Sequence, residues 1–338
     1  MKPICKIALL IALTLNLACT PKNKFQIEAI EKQNTATHQI VRFDQDLYNI
    51  DITKLPTEVE ALNQKYQYFM PYYTQGIMNI GPIGTSEANY DMYRFLTDSI
   101  FHRLYADVEK KYTNVSDIEL RLSKAFAYIN HYFPEIYIPE VYMHVSGFNQ
   151  SIVITDSVVS ISIDNYMGSD YDFYKDVTYE YQRPFMIREK IVSDVLYVWL
   201  YSTFYDDKVL LSSLLNEMIY AGKIMYLLEV IDKNDSESML IGFTDDQLKW
   251  CKNNEGNMYR YIVENKQLFS TDARMISKYM SEAPFTAYFP NESPGRTGIW
   301  LGWQIVKSYM ENNSSVTLTD LLSNTNYQQI LEDSNYRP

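Results

Sequence analysis

The sequence predicts an α+β fold, mainly helical with a small central sheet. Apolar and aromatic residues recur at three- and four-residue intervals through most of the chain. β-Branched residues concentrate in one stretch, 139–163, where turn residues break them into short runs. The order is helices, strands, helices, without an internal repeat or low-complexity block, so one domain is expected over 38–338.

The first segment, MKPICKIALLIALTLNLACT, sets Lys2 and Lys6 ahead of an apolar run from Ile7 to Leu15, with Leu17-Ala18 directly before Cys19. That run is too short to span a bilayer, and its basic start and small-residue end read as an export signal, 1–18. Leu-Ala-Cys resembles a bacterial lipobox, in which the cysteine takes diacylglycerol and becomes the mature N-terminus; Asn16 stands where a lipobox usually has Leu. Cys19 is thus the expected lipidation site, and its covalent lipid the only prosthetic group expected. Residues 19–37 are polar and lack a sustained apolar face, as a tether would. Thr20-Pro-Lys-Asn-Lys24 after the cysteine is not acidic, which favours a periplasm-facing anchor over surface export.

The folded part then begins near His38, with Ile40, Val41 and Phe43 suggesting a first strand. Helical spacing marks 56–73 and 89–112, and Ser116 with Glu119 suggests a capping box for a helix through Tyr132. PEVYMHVSG (139–147) reads as a strand, and SIVIT with VVSISI as a hairpin around Asp156-Ser157. Helices are expected again at 187–205, 208–231, 245–268, 295–311 and 317–333, with a Thr244/Gln247 capping box and Thr317 as an N-cap.

Composition narrows the function. With 42 acidic against 30 basic residues the net charge is −12, and no Lys/Arg cluster could neutralise a run of phosphates, so nucleic acid is not the expected partner. Of three cysteines, Cys5 leaves with the signal and Cys19 carries lipid, so Cys251 is left without a disulfide partner and reads as a small buried hydrophobe.

The chemistry-bearing motifs are incomplete. A thermolysin-like peptidase needs two histidines four apart on one helix face, with a glutamate after the first as general base. Asn216-Glu-Met-Ile-Tyr220 and Arg188-Glu-Lys-Ile-Val192 keep the glutamate and lack both ligands. His38, His102, His131 and His144 nowhere pair at ligand spacing; His144, on a strand, is expected to be structural. The acidic stretch 164–172 lacks the glycine and closing glutamate of an EF-hand and reads as a solvated turn. Ser146-Gly147 and Ser193-Asp194 have no glycine-flanked elbow, and no phosphate-cradling loop exists. Asp98-Ser99-Ile100 and Asp156-Ser157-Val158 resemble O-glycan acceptor sequences of exported Bacteroidetes proteins.

Several stretches together, VSGFNQSI, IDNYMGSDYDFY, TDDQLKWCKNNEGNMYRYIVENKQLFSTD, APFTAYFPNESPGRTGIWLGWQIVKSYM and SNYRP, resemble the gliding-motility lipoprotein B (GldB) family of Bacteroidetes over most of residues 140–338. That family is similar, more distantly, to predicted zinc peptidases with a histidine-rich helix, a helix bearing Glu-Gly and a closing Gly-x-x-x-Gly-x-x-Ile-Val helix. Here MIREKIVSDV (186–195) would replace the metal helix, Tyr220-Ala221-Gly222 the Glu-Gly, and Gly298 to Val306 would keep the closing helix. The resemblance implies a zincin-like scaffold that has lost its metal chemistry, hence no catalytic residues, no metal ligands and no cofactor. It implies a lipid-anchored envelope protein, not an enzyme, that contacts motility or type IX secretion proteins. Arg296, Trp300 and Trp303, after a Pro-Gly helix entry, are the candidate interaction surface, although core packing is the competing role for the tryptophans. Two rival functions stay open: an active metallopeptidase with an atypical ligand set, and a glycan-binding envelope lipoprotein.

Overall fold

The computed structural model describes residues 37–205 and 213–338. The expected signal, Cys19 and nearly all of the expected tether lie outside the described residues, as does the start of the expected helix at 208. The described chain is mainly helical around one four-stranded mixed sheet, the α+β class expected.

The sheet has strands β1 (Ile40–Val41), β2 (Glu140–His144), β3 (Ile152–Ile154) and β4 (Val158–Ser162), in the order β1-β2-β4-β3. β1 and β4 run parallel to β2, and β3 pairs antiparallel with β4 through the hairpin at Asp156-Ser157. Strand β1 is shorter than expected because Phe43 starts helix α1 (Phe43–Tyr48) instead. Its ring, fully buried, packs edge-on against Tyr66, Phe69 and Tyr73, so an aromatic core and not strand pairing fixes this residue.

The helices of the first half are α2 (Leu55–Lys65), a π-helical turn (Tyr72–Ile77), α3 (Ser86–Thr97), α4 (Ser99–Lys111) and α5 (Ser116–Tyr132). The single periodic run 89–112 is two helices, because Asp98 is extended and its carboxylate accepts from the N–H groups of Ile100 and Phe101, capping α4. The Ser116/Glu119 capping box does not form: Asn114 takes the Ser116 N–H, and Glu119 accepts from the N–H of Ile40, tying β1 to α5.

The second half holds a four-residue helix α6 (Tyr174–Val177), then α7 (Ile191–Thr203), α8 (Leu214–Ile231), α9 (Glu237–Ile241), α10 (Asp245–Glu264), α11 (Ala273–Met280), α12 (Thr297–Asn312), α13 (Leu318–Ser323) and α14 (Tyr327–Ser334). Both bonds of the Thr244/Gln247 capping box are made, and Thr317 caps α13 as expected. The run 317–333 is two helices, the second capped by Asn326.

Helices α8 and α12 make the closest helix pair, and the reason is steric. A Cβ on Gly222 would stand 2.3 Å from the Gly302 carbonyl, and one on Gly302 only 1.8 Å from the Met218 oxygen. Glycines at both positions let the two backbones touch, and α7 packs between α8 and the sheet. The buried apolar residues form one continuous cluster from Ile40 to Ile330.

Candidate functional site

A cleft of about 610 Å³ opens between the β3 edge of the sheet and the start of α7. Two of the quoted sequence motifs build one wall. In 146–151, Gly147 and Phe148 both take left-handed backbone (φ 69° and 67°), and a Cβ on Gly147 would meet the Phe101 ring at 2.7 Å. This bend aims the N–H groups of Ser146 and Phe148 at the buried Asp164 carboxylate, at 3.2 and 2.7 Å. Ser162 donates to the same carboxylate at 2.6 Å, and Asn165 Nδ2 donates to the Gln150 carbonyl. Asp164 is therefore the peg on which the wall hangs. Burial, partly offset by these donors, still raises its carboxyl above the usual carboxylate range. The acidic stretch is thus not the solvated turn expected: Asp164 is fully buried, while Asp170 and Asp172 are exposed.

The opposite wall comes from the entry to α7. Lys190, almost fully buried, pairs with Asp194 one turn on at 2.8 Å and donates to the Leu240 carbonyl; Asp194 also accepts from the Tyr166 hydroxyl at 3.1 Å. Lys190 and Ser193 approach to 3.2 Å, superficially a Ser–Lys hydrolase pair. Ser193 has no exposed surface and its hydroxyl donates to the Lys190 carbonyl, so no substrate reaches it.

Neither incomplete peptidase frame faces this cleft with its ligand positions. Arg188 turns to Asp117 and to the carbonyls of Lys111 and Asn114, and Glu189 is exposed. The i, i+4 pair that lines the cleft is Lys190 and Asp194, out of register with the expected 188/192 pair. Among the described residues no group of three or more His, Cys, Asp and Glu side chains converges at metal-binding distances. His144 is wholly buried beside Phe69 and Tyr73; Nδ1 meets Ser160 Oγ at 2.6 Å, and burial depresses its ring to a pKa of about 3. Cys251 is fully buried too, and burial pushes its thiol up, as suits a small hydrophobe.

The third wall is the segment from Val177 to Met186, with Thr178 and Gln182; Gln182 in turn holds the exposed Glu282 at the rim. At the far end stands Arg296. It precedes α12 in a left-handed conformation (φ 57°, ψ 25°), and its guanidinium donates to the Gly242 carbonyl at 3.3 Å. Gly242 ends α9 at φ 72°, and a Cβ there would meet Arg296 Nη2 at 2.8 Å. Arg296 also borders a second cavity of about 420 Å³, lined by Tyr197, Val198, Tyr201, Ala221, Met280 and Ile299, with Ser202 and Glu217.

The model of the family described as gliding motility protein GldB matches residues 22–338. The chain belongs to the GldB family. Membership makes it a gliding-motility-related protein of lipoprotein type. No curated protein and no solved structure matches the chain. Among the described residues of this GldB-family chain, no helix is long and apolar enough to cross a membrane.

Of the three residues expected to form an interaction surface, only Arg296 reaches a cleft. Trp300 and Trp303 are both 0% exposed, so neither offers a face to a partner. Trp303 donates to Glu229 of α8, and Lys307, whose ammonium lies over the Trp303 ring at 4.1 Å, pairs with the same carboxylate at 3.2 Å; the two contacts to Glu229 lock α12 to α8. Lys190, Asp194 and Gly242 were missed as cleft residues, and Asp164 as the buried support of its wall. Their roles depend on contacts far apart in sequence, and only the Lys190/Asp194 spacing carried a local signal. The O-glycan acceptor sequences fall on different settings: Ser99 is exposed at the start of α4, whereas Ser157 is half-buried in the hairpin turn.

Proposed function

We propose that this GldB-family protein is a lipid-anchored, non-catalytic component of the cell envelope that supports gliding motility or the associated type IX secretion machinery by holding a partner protein in its cleft. Cys19, with the basic and apolar run before it, supplies the anchor, and the orientation is periplasm-facing. Attachment to a membrane raises the effective concentration of the cleft near membrane-bound partners. The scaffold is a zincin-like one from which the metal has been lost. In support, the two α7-face positions four apart that line the cleft hold a lysine and an aspartate in each other's contact. A cation would be repelled by the first, and the second already has a partner.

The observation that carries the reading is the cleft itself. Its volume is that of a ligand site, its peg and walls are internally hydrogen-bonded, and an arginine stands at its end without an ion pair among the described residues. The glycan-binding alternative loses Trp300 and Trp303 as stacking faces, since both are buried.

The test places a photo-crosslinking amino acid at Val198, 37% exposed on the cleft rim, in the native envelope. Motility or secretion proteins should be captured there, and Arg296→Glu should abolish both the capture and colony spreading. Stoichiometric zinc in the purified protein, with peptide cleavage lost on chelation, would establish the peptidase alternative instead.

A further inference from the structure

Arg296 is unusual for an arginine in a chain with 42 acidic residues against 30 basic ones, because it is half-buried at the junction of two cavities and pairs with no carboxylate among the described residues. Among the described residues its guanidinium donates to the Gly242 carbonyl through Nη2, and the other donors of this planar group, which lines the cleft, have no protein acceptor there. The cleft's other charges do not compete for it. Asp194 is occupied by Lys190 and Tyr166, and Glu282 sits exposed at the rim beside Gln182.

The two cavities differ in kind. On the side of the larger one the lining is polar: Thr178 and Gln182 are held by Tyr174, Tyr179 and Glu282, while Asn149 Oδ1 and the Gln150 side-chain amide, without a hydrogen bond among the described residues, are the groups that can meet a peptide backbone. On the other side, Tyr197, Val198, Ala221, Met280 and Ile299 suit an apolar side chain. A backbone continuing into that space would leave N–H and C=O groups with few partners, which is costly when they are buried. A chain arriving through the polar cleft is therefore best accommodated if it ends at the guanidinium.

We propose that Arg296 captures the C-terminal carboxylate of a partner polypeptide whose last side chain is apolar and enters the adjoining cavity. This deepens the partner-holding reading and rests on it. The left-handed backbone at Arg296 belongs to the device: glycine would relieve that conformation but supply no cation, so the strain accompanies a guanidinium held at one fixed place.

The test uses the full-length lipoprotein in detergent micelles and fluorescein-labelled hexapeptides of Gly and Ser ending in Leu, Val or Phe, each as free acid and as C-terminal amide. Anisotropy titration should show the acids binding and the amides weakened about tenfold or more, the size expected for loss of a charge-assisted pair. Arg296→Gly should weaken the acids to the level of the amides and leave the amides unchanged, which isolates the pairing. Because glycine accepts the left-handed conformation, this variant should melt no lower than the parent, separating lost recognition from lost fold. Gly242→Ala, which crowds Nη2, should also narrow the difference between acid and amide. Equal binding of acid and amide, an acid preference that survives Arg296→Gly, or no binding by any hexapeptide overturns the proposal. So does tight binding of octanoate with no peptide binding, which would make the site one for fatty acids. Capture at Val198 in the envelope alongside any of these results would leave the partner-holding function standing and remove only its carboxylate recognition.

Discussion

Replacing Gly302 by alanine should unfold the α8–α12 contact that supports the cleft from behind. The added Cβ would lie 1.8 Å from the Met218 oxygen, 2.4 Å from its carbonyl carbon and 3.0 Å from its Cα, all backbone atoms that no rotamer change can move. Carbon and oxygen normally approach no closer than about 3.3 Å, so the helices must part by roughly 1 Å or more. A gap of that size forfeits a quarter to a half of each dispersion contact across the seam. Met218, Ile219, Leu301 and Ile305 are wholly or almost wholly buried on these helices. Overpacking of this kind destabilises by about 1–3 kcal/mol or more, set against a gain of about 1 kcal/mol from alanine's helix propensity. The expected net loss, at the upper end of that range, is about 2 kcal/mol, which lowers Tm by roughly 2–4 °C in a chain of this size. Thermal melts followed by circular dichroism and tryptophan fluorescence measure it, because Trp300 and Trp303 flank the site. Gly222→Ala, whose Cβ would meet Gly302 at 2.3 Å, should behave alike. Gly76→Ala, with nothing within 4 Å, should be neutral or slightly stabilising. Gly302→Ala melting with the parent, or Gly76→Ala falling as far, would refute the close-approach argument.

Other substitutions read the cleft and its wall. Asp164→Asn puts an amide N–H against the Ser146 or Phe148 N–H and should cost about 1–3 kcal/mol in denaturant titration; unchanged stability would mean that the 146–151 loop does not depend on this peg. Lys190→Met leaves Asp194 without its cation and should cost about 1–3 kcal/mol, partly recovered in Lys190→Met/Asp194→Leu; a double variant weaker than the sum of the singles would argue against direct pairing. His144 titrates near 6.5 when unfolded but at about 3 when folded, because burial disfavours the imidazolium. The unfolded chain therefore takes up the proton first, so this contribution to stability is complete above pH 6.5 and is lost progressively as pH falls toward 3, by up to about 1.4 kcal/mol per unit. His144→Phe should flatten the fall in Tm between pH 7 and 5, and an identical slope in the variant would remove His144 from the acid response.

What the sequence made legible was periodic or capped locally. Helices α5, α8, α10 and α12 follow from apolar spacing, and Thr244/Gln247 from a four-residue signal, because side chains one helical turn apart report on the same surface. The misreadings share a cause. Phe43 has high strand propensity, but a cage of Tyr66, Phe69 and Tyr73 decides its place. Ser116 and Glu119 have capping-box spacing, but Glu119 finds a β1 N–H on a residue 79 positions away. Asp98 breaks a run that periodicity alone would continue, since an aspartate that caps the next helix is locally preferred to one inside a longer helix. The buried Asp164 looked like a solvated acid because its two backbone N–H donors lie 16 and 18 residues earlier, on a loop whose bend needs Gly147.

The same logic explains why neither peptidase-like frame lines the cleft with its ligand positions. A frame read along the chain places its ligand positions at 188/192 or 216/220, yet a helix presents to a cleft only those residues its rotation allows. On α7 that rotation is fixed by Arg188 and Arg121: the first reaches Asp117 on α5, and the second reaches back from α5 to the Glu189 carbonyl and to Asp232. With these clamps closed, Lys190 and Asp194 are the pair turned inward, and Glu189 is turned out. The Lys190–Asp194 contact satisfies within the wall two charges that would otherwise face the cleft. The cation without a carboxylate partner among the described cleft residues is then the guanidinium at the opposite end, whose position is set by the α9 terminus at Gly242 and the α12 entry at Arg296. The position of that charge thus depends on α12: Arg296 stands at its entry, and its Gly302 seam against α8 fixes where the helix lies.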